Sequence, residues 1–173
     1  MTDTDSQRLF LALWPDDTTR DALHRTGKWL HKHWGGRLMR RDTLHLTLAF
    51  LGNTPVNRLD ALTAYVGSVD IENFELILDQ AGCWPHNHIG WLGATEKSVP
   101  LLDLTARLRI ALRKADLHFE DKPFVPHVTL LRNTRGGAAT ACEPVRWPIS
   151  GFALLASDTN AEGACYTVLR RWP

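Results

Sequence analysis

Residues 44–52 read Leu-His-Leu-Thr-Leu-Ala-Phe-Leu-Gly, and residues 127–130 repeat the central tetrapeptide as His-Val-Thr-Leu. In each copy histidine and threonine alternate with apolar residues, which is the period-two pattern of a β-strand with one buried face. His45 and Thr47 then point to one side of the first strand, and the two flanking leucines point to the other. The repeat therefore predicts two strands that each present an imidazole beside a hydroxyl.

The second copy, with His127 and Thr129 on one face, makes coincidence a poor explanation. The chain has 8 histidines among 173 residues, and random placement would give two such tetrapeptides in about one chain in a hundred. The alternative interpretation is a pair of half-buried edge strands in which these residues serve packing alone. We take the repeat as the main functional signal.

Apolar periodicity and turn residues around the repeat predict the remaining elements. Strands are expected at 8–14, 44–51, 74–78, 89–92, 127–132, 149–157 and 166–170, helices at 16–34, 56–69 and 98–112, and a loop of small residues at 136–141. This order is typical of an α+β or α/β-type fold whose sheets are covered by helices. With no long linker, we predict one domain over residues 1–173, in which residues 1–7 are a flexible N-terminus.

The composition is that of a globular protein, with 44% hydrophobic and 23% charged residues. A net charge of +1 gives no overall attraction to nucleic acid, so any affinity for a polyanion requires a local patch. The sequence shows no secretory signal and no apolar run that would span a membrane, and a cytoplasmic location is expected. Cys83, Cys142 and Cys165 are too scattered for disulfides or a thiolate metal site, and we expect buried, reduced thiols.

Two histidines across a cleft can divide acid–base work, since the unperturbed pKa of histidine lies near neutral pH. Displacement at phosphorus needs a base and an acid, because the attacking water loses a proton and the departing oxygen gains one. A threonine hydroxyl beside each imidazole can hydrogen-bond the phosphate oxygens. Neither tetrapeptide contains the carboxylate that usually accompanies histidine in metal hydrolases, so we expect metal-independent chemistry without a cofactor. A cyclic phosphate is a fitting target.

At these motifs the chain resembles the two-histidine phosphoesterase superfamily, and in particular the RNA 2′,3′-cyclic phosphodiesterases, also called LigT-like proteins or 2′-5′ RNA ligases. The likeness covers nearly the whole chain, with residues 8–12, 44–52, 91–93, 122–132 and 166–172 carrying it. The resemblance implies an α+β fold of two pseudo-symmetric lobes, with antiparallel-rich sheets flanked by helices around a central cleft. It also implies an enzyme that opens a terminal 2′,3′-cyclic phosphate to a 2′-phosphate and can run in reverse as a 2′-5′ ligase without ATP.

On the same resemblance, His45 would donate a proton to the departing 3′ oxygen and His127 would activate water. Thr47 and Thr129 would hold the phosphate. The resemblance also makes Arg132 a candidate phosphate contact, although strict alternation from His127 places Arg132 on the opposite face of the strand.

Other residues are weaker candidates. Arg37, Arg40 and Arg41 are expected to form a basic rim for the RNA backbone. Phe50, Phe124 and Trp84 are candidates for stacking a base, with a core position as the alternative. The pairs His31/His33 and His86/His88 are not predicted to bind metal, because helical positions two apart do not face each other and the second pair lacks further ligands.

The expected partners are RNA ends bearing a cyclic phosphate, such as oligoribonucleotides or transfer-RNA fragments, with no membrane and no obligate protein partner. Two alternatives remain open. The same site would serve a phosphodiesterase acting on 2′-5′ oligonucleotides or small cyclic nucleotides. A cleft with inert histidines would instead serve a non-catalytic module that binds RNA ends.

Overall fold

The structure, a computed structural model, describes residues 5–173. The strands are β1 (Ser6–Leu13), β2 (Arg37–Leu38), β3 (Leu46–Pro55), β4 (Phe74–Trp84), β5 (Ile89–Gly93), β6 (Val128–Arg132), β7 (Thr140–Ile149), β8 (Phe152–Asn160) and β9 (Gly163–Trp172). The helices are α1 (Asp17–Trp34), α2 (Leu59–Gly67) and α3 (Val99–Lys114), and short 3-10 turns cover Arg41–Thr43 and Val56–Arg58. No helix within the described range is long and apolar enough to cross a membrane.

The strands form one antiparallel sheet in the order β7-β4-β5-β6-β3-β1-β8-β9, with β2 beside β6. This confirms the predicted α+β class. We call β3, β1, β8 and β9 the first lobe, and β6, β5, β4, β7 and β2 the second lobe. The lobes meet between β3 and β6, where the register consists of the single pair Leu46–Val128. We call this junction the seam.

Helix α1 begins and ends at strong capping residues. The Asp16 side chain accepts a hydrogen bond from the Thr19 amide at 2.7 Å, and Gly35 closes the helix at φ +63°. Although α1 follows β1 of the first lobe, it packs on β6 and β7 of the second. Gly27 allows this approach, because a Cβ there would lie 3.0 Å from Leu38 Cδ1.

Helix α3 packs in the opposite sense, against α2 and against β3 of the first lobe. Its N-cap is Ser98, with the hydroxyl accepting from the Leu101 amide at 3.4 Å. Its buried stripe, like the face of α1 that carries Leu23 and Leu30, joins a leucine-rich core under the sheet. Helices from each half thus tie the two lobes together across the seam.

Three expectations need correction. The predicted strand 149–157 is two strands, because the chain turns at Ser150–Gly151, where a Cβ on Gly151 would clash with the Trp172 carbonyl. Strand β7 was not predicted and begins inside the expected loop 136–141. Of the predicted flexible N-terminus, Ser6 and Gln7 belong to β1, while residues 1–4 lie outside the described range.

Candidate active site

The two tetrapeptides meet at the seam. His45 and His127 each stand one residue before their strands β3 and β6, rather than within them as predicted. Because Leu46 pairs with Val128 in an antiparallel register, His45 lies across from Thr129, and Thr47 lies across from His127. Each histidine therefore faces the threonine of the other tetrapeptide as well as neighbouring its own.

The two imidazoles are held in the same way. His45 Nδ1 lies 2.7 Å from the Thr43 carbonyl, and His127 Nδ1 lies 2.8 Å from the Val125 carbonyl, in each case two residues upstream. Since a carbonyl oxygen only accepts, each Nδ1 donates a proton and each Nε2 of the neutral ring carries a lone pair. The Thr47 hydroxyl lies 3.0 Å from His45 Nε2 and donates to it in this state.

Aromatic rings surround His45 more closely than His127. Phe10, Tyr166 and Trp14 lie with ring centroids 5.0, 5.1 and 6.2 Å from the His45 ring. Burial among them lowers the pKa of His45 to about 4, although the hydrogen bond to the Thr43 carbonyl opposes this shift. Both rings of the pair are therefore neutral at pH 7 in the free protein, because burial lowers the pKa of His127 as well.

His127 packs against one aromatic side chain, Trp84 of β4. Their ring centroids lie 4.6 Å apart at an interplanar angle of 75°. Trp84 thus contacts the histidine instead of lining the cleft as a candidate base-stacking residue. Phe124 packs on the core and lines a separate groove, so the stacking hypothesis is wrong for it too.

The histidines open into a cleft of about 450 Å³. The lining residues from the candidate set are His45, Thr47, Phe50, His127, Thr129 and Arg132, and the remainder are Arg8, Phe10, Met39, Thr43, Ile89, Ser157, Thr159, Ala164 and Tyr166. The part of the chain that the structure describes contributes two arginines to this lining and no carboxylate. The cleft is therefore suited to an anion.

A β-bulge explains how Arg132 reaches the cleft. Thr129 pairs with Trp91 and Leu131 pairs with the preceding residue Gly90, so Leu130 is an extra residue in β6. One extra residue reverses the alternation of side chains beyond it, which places Arg132 on the same side as Thr129. The expectation from strict alternation was wrong here, because sequence periodicity does not reveal a bulge.

The first lobe carries the same irregularity. Thr47 pairs with Ala12 and Ala49 pairs with Leu11, so Leu48 is the extra residue in β3. Phe50 follows this bulge as Arg132 follows the other, and it lines the same cleft. Phe50 therefore remains a candidate for contacting a base or a ribose.

The predicted basic rim is only partly available. The Arg41 guanidinium binds Asp17 and Asp21, at 3.1 and 2.5 Å. Arg40 lies 3.3 Å from the Asp42 carboxylate and donates to the Ala164 carbonyl at 2.7 Å. Neither arginine lines the cleft and both have acidic partners, so their proposed contact with RNA stays a prediction. Arg37 is exposed and its backbone pairs with that of Arg132, which leaves its proposed contact with RNA a prediction.

Arg20, which the sequence analysis missed, supports the segment before His45. Its guanidinium donates to the carbonyls of Pro15, Arg41 and Leu44 at 3.0, 3.1 and 3.4 Å. It also lies over the Trp14 ring, 4.5 Å from the centroid, and is 5% exposed. Arg20 thus fixes the turn from Arg41 to Leu44, which contains the Thr43 carbonyl that orients the His45 ring.

The sequence analysis also missed cleft residues of β1, β8 and β9. Arg8 and Phe10 alternate in β1 on the cleft side, and this period-two pattern could have identified them. Tyr166, which contacts the His45 ring, carried no comparable signal. Its position depends on the pairing of β8 with β9, which sequence periodicity does not reveal.

Neither His-x-His pair belongs to this site. His33 Nδ1 lies 2.8 Å from the Trp29 carbonyl on α1, and His86 stacks on Trp84. Over residues 5–173, no group of three or more His, Cys, Asp or Glu is placed to hold a metal ion. The three thiols are free, but the expectation that they are buried is wrong, since Cys83 and Cys142 are half-buried and Cys165 is exposed.

The α+β sheet and the paired His-Thr tetrapeptides at its seam define the class of two-histidine phosphoesterases. Comparison with known proteins gives the family. The model of the 2′-5′ RNA ligase superfamily matches residues 15–161, and this chain belongs to that superfamily.

Named relatives are similar over almost their full length. A protein of Escherichia coli named RNA 2′,3′-cyclic phosphodiesterase is 32% identical, with 98% of this chain and 97% of that protein covered. A protein of the same name from Thermus thermophilus is 31% identical, with 95% and 89% covered. The crystal structure of E. coli LigT complexed with 3′-AMP has a TM-score of 0.84 and 32% identity, covering 97% of this chain and 98% of that one.

Proposed function

We propose that this protein hydrolyses the 2′,3′-cyclic phosphate at the end of an RNA chain and leaves a 2′-phosphate. The observation that carries the proposal is the pair of imidazoles at the seam, each fixed through Nδ1 so that Nε2 is available for proton transfer. Membership of the superfamily and the names of the relatives support the same reaction. The proposed partner is an oligoribonucleotide end, such as that of a transfer-RNA fragment in the cytoplasm.

In the proposed mechanism, His127 Nε2 takes a proton from water as the water oxygen attacks phosphorus. The bond between phosphorus and the 3′ oxygen breaks, and His45 gives its Nε2 proton to that oxygen. Thr47 and Thr129 donate to the non-bridging oxygens, and Arg132 balances their charge. When the 5′ hydroxyl of a second RNA end attacks the cyclic phosphate in place of water, the same two proton transfers form a 2′-5′ phosphodiester as the bond between phosphorus and the 3′ oxygen breaks, which is the proposed 2′-5′ ligation.

The low pKa of His45 bears on its proposed role as the acid. In the free protein this ring is neutral at pH 7, since its pKa lies at about 4. A phosphodiester anion between the imidazoles favours their charged forms, and therefore raises the pKa of His45 as the substrate enters. The protonated ring keeps its bond to the Thr43 carbonyl and directs the Nε2 proton towards the leaving oxygen.

The direct test is incubation of an oligoribonucleotide bearing a 2′,3′-cyclic phosphate with the protein in EDTA, followed by phosphorus NMR. We expect a 2′-phosphomonoester, and we expect His45→Ala and His127→Ala to lower kcat by about 10²–10⁴-fold. His31→Ala, on the exposed face of α1, is the control. A 3′-phosphate product, or full turnover in both active-site variants, would contradict the proposal.

A sulfur leaving group separates the two roles. When sulfur replaces the bridging 3′ oxygen, the departing thiolate needs no proton, so loss of the acid matters little. We expect His45→Ala to recover most of its activity on this substrate, whereas His127→Ala stays impaired. The reverse pattern would exchange the roles of the two histidines.

A further inference from the structure

Arg8 provides a second cationic group in the cleft, apart from the phosphate-binding residues proposed above. Its side chain is exposed, and its guanidinium carbon lies 5.0 Å from the centroid of the Phe50 ring. A guanidinium held over an aromatic face is restrained but keeps its charge. Among residues 5–173, no carboxylate lies within 4.0 Å of it, whereas Arg40 and Arg41 are ion-paired.

The register of β1 gives the position of this group relative to the histidines. Ala12 pairs with Thr47, and Phe10 pairs with Phe50, over which the Arg8 guanidinium lies. Two residues of β-strand span about 7 Å. The strand pair at Phe50, beside which the Arg8 guanidinium lies, is thus displaced by about 7 Å from the pair at Thr47, a distance comparable with the spacing of neighbouring phosphates in an RNA strand.

A hydroxyl accompanies this guanidinium. The pairing of Leu9 with Ala156 places Ser157 of β8 across from Arg8, and Ser157 lines the cleft. A cation and a hydroxyl donor are the groups that usually contact a backbone phosphate. The catalytic phosphate already has Thr47, Thr129 and Arg132 in the proposed mechanism, so this second set is left for another anion.

We infer that Arg8, with Ser157, forms a subsite for the phosphodiester that precedes the cyclic end. This inference rests on the proposed function and narrows its substrate class to oligonucleotide ends, which carry that phosphodiester, over mononucleoside cyclic phosphates, which lack it. Phe50 keeps the Arg8 guanidinium in place. Arg8 is a specificity-determining residue that takes no part in proton transfer.

The test is a double-mutant-type cycle, in which the Arg8 side chain and the charge of the internal phosphodiester are each removed, separately and together. Two dinucleotides with the same 2′,3′-cyclic end are compared, one with an ordinary internal phosphodiester and one with an uncharged methylphosphonate there. For the wild type we expect kcat/KM to be about tenfold higher on the charged linkage, the effect of one exposed charge-assisted contact. Arg8→Gln should remove that preference, and Arg8→Lys should keep part of it.

Arg25→Gln, an equal change of charge on the exposed face of α1, is the control and should retain the wild-type preference at the same ionic strength. An Arg8→Gln variant that still prefers the charged linkage tenfold would overturn the subsite while leaving the hydrolase intact. Absence of turnover by the wild type would instead contradict the proposed function. In that event, affinities for the matching dinucleotides ending in a 2′-phosphate test the subsite by the same comparison.

Discussion

Phe50 and Arg132 occupy the same position in the two lobes, five residues after their histidines and just beyond matching one-residue bulges. Both side chains therefore turn into the cleft. The same backbone position therefore carries an aromatic ring in the first lobe and a cation in the second. The internal repeat thus gives the cleft two chemically different ends.

Replacing Arg132 tests this difference. We expect Arg132→Gln to lower kcat/KM on RNA with a cyclic end by roughly tenfold to a hundredfold, because a charge-assisted contact with phosphate contributes about 1.5–3 kcal/mol. Arg132→Lys should fall between, since it keeps the charge without the planar geometry. Arg135→Gln, outside the cleft lining, is the matched control. Equal kcat/KM for Arg132→Gln and the wild type would show that Arg132 lines the cleft without contacting the phosphate during the reaction.

The burial of His45 predicts a dependence of stability on pH. The ring stays neutral when folded down to about pH 4, whereas in the unfolded chain it takes up a proton near pH 6.5. The unfolded state therefore binds more protons in this window, and stability falls as the pH drops from 6.5 towards 4. The contribution of this ring is on the order of 3 kcal/mol.

Urea unfolding at pH 7 and pH 4.5 measures this effect. Carboxylates and other buried histidines add to the wild-type loss, so the informative quantity is the difference from His45→Ala. That variant should lose less free energy of unfolding on acidification than the wild type. Identical losses would mean that the His45 ring is not desolvated.

Arg20 is expected to act on the reaction through His45. Without its three hydrogen bonds to carbonyls, the turn before His45 loosens, so Arg20→Met should lower kcat by about tenfold or more with a smaller change in KM. The positive charge of Arg20 also lowers the pKa of His45, together with His127 and Arg132. Its removal should therefore raise the pKa of His45 in an NMR titration, and so would any loss of the packing that buries the ring.

Two further variants separate the charge of Arg20 from its hydrogen bonds and provide a surface control. Arg20→Lys retains the charge and should leave the pKa of His45 near its wild-type value while still lowering kcat. Arg25→Met, on the exposed face of the same helix, should change neither quantity. An Arg20→Met protein with wild-type kcat and His45 titration would restrict Arg20 to a structural role.

Substitutions at Gly27 test how closely α1 packs against the second lobe. Gly27→Ala places a methyl group against the flexible end of Leu38, and the helix propensity of alanine offsets this contact, so we expect little change in stability. Gly27→Leu has no such space, with Leu130 Cβ only 3.7 Å from the new Cβ, and should lower the free energy of unfolding by about 1–3 kcal/mol. Denaturant titration of the pair checks this, and equal stability would refute the close approach.

The sequence predicted the features that arise from local alternation. The tetrapeptides, the three helices and most strands follow from patterns within a few residues. His45, Thr47, His127 and Thr129 do line one cleft. Strand β7 was not predicted; it lies at the edge of the sheet, where Pro144 and Pro148 are tolerated. Its alternating buried residues Val145, Trp147 and Ile149 were the available signal.

The remaining site residues depend on contacts between distant segments. Tyr166 reaches His45 through the pairing of β9 with β8 and of β8 with β1. Arg132 faces the cleft because of a bulge that only the register with β5 reveals. The ion pairs of Arg41 with Asp21 and of Arg40 with Glu162 likewise join distant segments, which local sequence patterns do not reveal.

The seam has a consequence for how the enzyme responds to damage elsewhere. A single strand pair, Leu46–Val128, separates the two imidazoles, and helices exchanged between the lobes set the angle at which the halves sit. A tilt of one half would change the gap between the two imidazoles before either half loses its own secondary structure. During denaturation, turnover should therefore be lost at a lower denaturant concentration than the circular-dichroism signal of the secondary structure. The rate of the reaction then measures the relative orientation of the two lobes.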